Sequence, residues 1–169
     1  GFTNKDAIIG APARETPGKW GGPITPFSPP YLLNQILSIG AGGEVTLKFA
    51  RSIRDEPLNP FGLDFLVFGG AGFTITNGDF SGGGITDGTL FGRADGETRL
   101  SVSADGEAWF VLDPKQAPTF DAYHPTDGAG DFALPVNPAL AKGEFDGGGL
   151  GKFTELYAGS GGGTGYDIA

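Results

Sequence analysis

The chain has no cysteine, a single histidine and few basic residues, 11 Lys and Arg against 20 Asp and Glu, and each shortage removes a class of function. Without a thiol there is no disulfide, no cysteine nucleophile, no thiolate metal site and no redox pair. One histidine excludes zinc chemistry built on two or three imidazoles. At a formal net charge of −9, with no basic stripe, a polyanion is repelled at long range, so no nucleic acid is expected as a partner. An anionic membrane surface is disfavoured for the same reason. Long apolar runs are also missing: none approaches the roughly 20 residues of a spanning helix, and no membrane insertion is expected.

Glycine and proline are what the chain has in plenty. The 32 Gly and 13 Pro together exceed a quarter of its 169 residues, which would suggest low complexity if apolar residues were scarce. Fourteen Phe and regular apolar runs say otherwise: Gly and Pro punctuate a folded, turn-rich, mostly β structure. The length fits a single domain, residues 1–169, large enough to bury a core without staples.

Residues 1–30 contain "APARETPGKWGGPITPFSPP", whose prolines forbid a long helix or a central strand. Trp20 is expected to pack this segment onto the body rather than stand out as a ligand platform. In "EVTLKF" the apolar Val45, Leu47 and Phe49 alternate with Glu44, Thr46 and Lys48, the pattern of a half-buried strand. "LDFLVF" is a nearly continuous apolar run, as in a strand covered on both faces. Asp64 interrupts it, and a carboxylate there needs hydrogen-bond donors or a cation. "SVSADGEAWFVL" reads as a hairpin turning through Asp105-Gly106, with Trp109 expected to be structural. Residues 113–169 form a long irregular region, functional or mobile by its size, with one short helical turn near Pro138. No period of 20 to 50 residues recurs, and the short strands lead to an all-β fold, an antiparallel β-sandwich or jelly roll.

No catalytic signature stands out. His124 lies in "YHPTDG" and reads as a surface residue, and "YAGSGG" has Ala158 where a nucleophile elbow needs glycine. Carboxylate pairs are abundant, but no spacing selects a glycosidase pair. Oxygen-rich loops suit calcium, which takes six to eight oxygen ligands. The candidate metal ligands are Asp127 and Asp131 in "TDGAGDF", with Asp64 and Asp79, and "GGTGYD" matches one unit of calcium-binding β-roll repeats. Sugars stack on aromatic rings while carboxylates take their hydroxyls. Tyr123, Tyr157, Asp127 and Asp131 are therefore the candidate ligand-binding residues, anchoring of the C-terminal region being the other use for those tyrosines.

"AIIGAP", "LSIGAGGEVTLKFARSIRDEPLNPFGLDFLVFGGAGF", "SVSADGEAWFVL" and "PTDGAGDF" resemble, in the same order, bacterial cell-surface and exported domains of the galactose-binding-like jelly-roll class. The tryptophan hairpin is similar to the equivalent element of discoidin-type domains. The resemblance implies a non-catalytic, extracellular or cell-surface module. The chain departs from that pattern at Gly69-Gly70, where related domains often carry Asn, and the ligand contact of that Asn is lost. Related domains also continue past the equivalent of "AGSGGGTGYDIA" into a closing strand, which would here be missing, cut away or supplied by another chain.

The sequence thus leads to a binding module for carbohydrate or another surface ligand, with calcium as the candidate support. The alternative is a structural or adhesive subunit joined to another protein chain by β-strand addition. A hydrolase survives only as a carboxylate-only glycosidase.

Overall fold

Apolar runs interrupted every few residues by Gly or Pro can only make short strands. In a computed structural model, which describes residues 1–91, 99–112, 124–140 and 142–169, they are very short. The strands are β1 (Glu15–Thr16), β2 (Gly22–Pro23), β3 (Phe65–Val67), β4 (Gly72–Phe73), β5 (Leu90–Phe91), β6 (Ser101–Val102), β7 (Phe110–Val111) and β8 (Thr164–Tyr166). They pair antiparallel as β1–β2, β3–β8, β4–β5 and β6–β7. The β-rich, antiparallel character expected from the sequence holds, and no sheet among the described residues is wider than two strands. No helix among them is long and apolar enough to cross a membrane.

The core is an aromatic cluster rather than the space between two sheets. Phe73, Val136, Phe145, Phe153 and Tyr157 are buried together, with Phe27, Leu90, Leu140 and Leu156 packed around them. Phe153 sits at its centre, its ring 4.6 Å from Phe73, 5.0 Å from Phe27 and 5.1 Å from Phe145. Four of the five central residues come from the C-terminal region expected to be irregular and functional or mobile. Its irregularity is corrected: its described part carries most of the core.

The C-terminal region also contains the single α-helix of the described residues, α1 (Leu150–Tyr157). Leu150, Phe153, Leu156 and Tyr157 recur at helical spacing and put Phe153 and Tyr157 on the buried face. Ala158 ends α1 in the left-handed region at φ 48°, followed by Gly159, as helix C-termini often do.

Beyond α1 the chain threads "GSGGG" against "PTDGAGD". Asp127 N–H donates to Gly161 O (2.9 Å), Asp131 N–H to Gly159 O (2.8 Å), Gly161 N–H to Asp131 O (2.8 Å) and Gly163 N–H to His124 O (2.9 Å). β8 then pairs along β3, with Phe65 opposite Tyr166 and their rings stacked at 5.4 Å. The stretch after which a closing strand was thought missing itself forms β8 and covers one edge of β3. β3 is half-buried rather than covered on both faces, and β8 is its only strand partner among the described residues.

Four further expectations are corrected. Residues 43–49 run without turn, bend or helix, but they pair with no described strand, and Val45, Leu47 and Phe49 are exposed. The β6–β7 hairpin exists, but Val102 faces Phe110, so the connection is Ser103 to Trp109 and not a two-residue turn. Asp105 organises that longer loop: its carboxylate accepts from Glu107 N (2.8 Å), Ala108 N (2.9 Å) and Ser103 Oγ (3.1 Å). These bonds, that from Glu107 foremost, hold its carboxyl below the usual range. Trp109 stays 47 % exposed, its indole N–H reaching Gly106 O at 3.3 Å, because a two-strand hairpin has no second layer to bury it. Trp20, expected to pack, is 83 % exposed, with the Lys19 ammonium 5.1 Å from its ring.

Candidate functional site

Three segments enclose an open cleft of about 700 Å³: the N-terminal stretch around Arg14, residues 59–68 leading through β3, and residues 131–135. Two sequence-marked carboxylates, Asp64 and Asp131, both line it. They lie 67 positions apart in the sequence.

Each is held by local chemistry. Asp64 immediately precedes β3 and accepts three N–H groups, from Glu56 N (2.9 Å), Asn59 Nδ2 (3.3 Å) and Ile168 N (3.1 Å). The donors that a carboxylate needs at a strand end are therefore supplied by a preceding loop and by the C-terminal segment. Asp131 accepts from Ala133 N through Oδ1 (2.9 Å), a turn-forming bond typical of Asp, and its Oδ2 has no partner among the described residues.

Arg14 completes the constellation. Its Nη1 donates to Gly128 O (2.6 Å) and Gly130 O (2.9 Å), and its guanidinium carbon lies 4.3 Å from the centre of the Phe132 ring. A guanidinium carries five N–H donors. Those not on Nη1 have no partner among the described residues. Nothing in the sequence signalled Arg14, a lone cation in a Pro-rich run whose partners lie more than a hundred residues away. Asn59 and Phe132 were missed in the same way, because their role depends on which loops meet.

The other candidates do not converge here. Asp79 closes its own turn, accepting from Ser81 Oγ (2.6 Å) and Ser81 N (2.9 Å); the Ser81 hydroxyl chiefly lowers its pKa. Asp127 accepts from Ala129 N (3.0 Å) and lies outside the cleft lining. Tyr123 lies outside the described residues. Tyr157 is 2 % exposed, so its ring cannot stack on a ligand. Its hydroxyl donates to Pro125 O at 2.9 Å, and it serves as the anchor that was the other use for it. The candidate metal ligands Asp64, Asp79, Asp127 and Asp131 do not form a common site. Among the described residues, the acidic group that converges is Asp55, Asp64 and Asp167, with one oxygen of each within 4.8 Å of the others. Asp64 there already serves three N–H donors and Asp167 accepts from Ala169 N (2.8 Å).

Beneath the cleft loop, burial controls two titrating groups. His124, expected at the surface, is half-buried, and desolvation lowers its pKa, keeping the imidazole neutral near pH 7. Tyr157 is pushed well above the usual phenol value, first by burial and then by the charge of Asp127. Since its folded pKa lies above its unfolded one, its contribution is complete below about pH 10 and is lost as pH rises further. Absorbance at 295 nm should therefore show Tyr157 resisting ionisation until the chain unfolds. Tyr157→Phe should remove one tyrosine from the resistant fraction. It should also cost about 1–2 kcal/mol at neutral pH, by leaving the Pro125 carbonyl buried without its donor.

Compared with protein-family models, with curated proteins and with solved structures, the chain shows no match.

Proposed function

We propose that the chain is a non-catalytic extracellular or cell-surface binding module whose ligand is carbohydrate, held in the cleft between Arg14, Asp64 and Asp131. The observation that carries this reading is the mixture of groups in that cleft. Unused guanidinium N–H donors, a carboxylate oxygen with a free lone pair and the apolar surface of Phe65 and Phe132 line one open space. A sugar presents hydroxyls that both donate and accept, beside C–H faces that favour aromatic rings. A cation and an anion together meet the first need, whereas a single sign of charge would select an ion.

The resemblance of the sequence motifs to galactose-binding-like jelly rolls supports the same class of function, and the scarcity of catalytic signatures agrees with it. Calcium belongs to the reading only as a proposed support of the loops, which the chelator arm of the test below addresses.

The test is a broad glycan array, with the protein in calcium and in a chelator. Binding to a coherent set of sugars is expected, weakened at least tenfold by Asp131→Asn. That change keeps the oxygen that accepts from Ala133 and replaces the free carboxylate oxygen by a donor, so the turn survives. An array blank in both buffers would refute the carbohydrate reading. Equal signals in both would remove calcium from it.

A further inference from the structure

Residues 43–49 are the one stretch with strand patterning that the described structure leaves unpaired. Its residue types alternate, Val45, Leu47 and Phe49 with Glu44, Thr46 and Lys48, so pairing as a strand would put the apolar set on one face and the polar set on the other. Every residue from 41 to 50 is exposed. Gly43 N–H is used in the preceding turn, bonding Gly40 O at 2.8 Å. From Glu44 to Ala50 no backbone group has a partner among the described residues. Phe49 meets Phe65 of β3 edge-on, at 6.4 Å between ring centres, which tethers the segment to the body without covering it. An exposed edge with an apolar row is a template for another strand.

The sequence of this edge says which strand. Paired antiparallel with a copy of itself about a two-fold axis through Thr46, it places Glu44 opposite Lys48 twice, Val45 opposite Leu47 twice and Thr46 opposite Thr46. Opposite charges, apolar pairs and Thr pairs are the cross-strand combinations that stabilise a sheet. Gly43 falls opposite Phe49, leaving room for the ring. Moving the axis one residue, to Leu47, puts Lys48 opposite Thr46 and Glu44 opposite Ala50, and both charge pairs are lost. Self-complementarity about an axis is what a two-fold interface requires.

We propose that the edge from Gly43 to Phe49 is a self-association surface, and that its occupant is the same edge of a second copy of this chain, antiparallel and centred on Thr46. The inference is independent of the cleft reading, and its test does not involve a sugar.

Sedimentation equilibrium on the whole chain decides it. The apparent mass should rise from one chain toward two between about 5 µM and about 500 µM, the weak range that suits so small a contact. Lys48→Glu sets like charges opposite each other at both ends and should weaken the dimer by about tenfold or more. Glu44→Lys should do the same. The double exchange, Glu44→Lys with Lys48→Glu, restores both pairs with reversed sign and should restore the dimer. Both substitutions are on exposed side chains, and far-ultraviolet circular dichroism checks that the fold of each variant is unchanged. A mass of one chain throughout the range overturns the proposal. So does a dimer indifferent to Lys48→Glu, or one that the double exchange fails to rescue.

Discussion

Gly162→Ala is expected to destabilise the chain by roughly 2–5 kcal/mol, although it adds one methyl group. Two costs combine. Gly162 has φ +87°, where an L-residue is strained by about 1–2 kcal/mol. The new Cβ would also run into the Pro125 carbonyl oxygen, with Pro125 C and Thr126 Cα each 3.0 Å away. Those are backbone atoms and cannot swing aside, so overpacking adds about 1–3 kcal/mol. Urea unfolding measures the sum, and two other glycines separate its parts. Gly159→Ala, at φ +90° with only Leu134 Cδ2 near, at 4.0 Å, should show the strain alone. Gly151→Ala, inside α1 and with nothing within 4 Å, should stabilise by about 0.5–1 kcal/mol. If Gly162→Ala costs no more than Gly159→Ala, the two loops do not pack as closely as described.

Phe153→Ala is expected to cost about 3–5 kcal/mol. Phe153 is fully buried and touches the rings of Phe27, Phe73, Phe145 and Tyr157, so its removal empties the point at which the cluster closes. A domain of this size has about 5–15 kcal/mol in total. The variant should lose near-ultraviolet circular dichroism and unfold at a far lower urea concentration. Leu150→Ala, on the same helix but exposed, should change stability by less than about 1 kcal/mol. A mild phenotype for Phe153→Ala would place the core elsewhere.

Both substitutions fall in the C-terminal region that sequence reasoning took for irregular chain. Its helix is two turns long and flanked by glycines, so Phe153 and Tyr157 provide too few repeats for periodicity to stand out. Its loops are glycine-rich for a reason that only packing reveals: at Gly130 as at Gly162, a Cβ would strike a carbonyl of the facing loop. The candidate site was half legible. Asp64 and Asp131 were marked by being carboxylates at a strand end and in an oxygen-rich turn. Arg14 and Phe132 were invisible, since a cation on a ring across more than a hundred residues leaves no local pattern.

Some properties follow from the residues alone, because they depend on chemistry available at each position. The missing cysteines, the single histidine, the excess of acid, the short antiparallel strands between Gly and Pro, and the need of Asp64 for donors are of this kind. Burial is different, because it is a relation between segments. Alternation marks Val45, Leu47 and Phe49 as able to cover something, yet what they cover must be provided by another part of the molecule or by another molecule. The tertiary structure decided that Phe153 and Tyr157 would be the core, that β8 would flank β3, and that the edge from Gly43 to Phe49 would stay open.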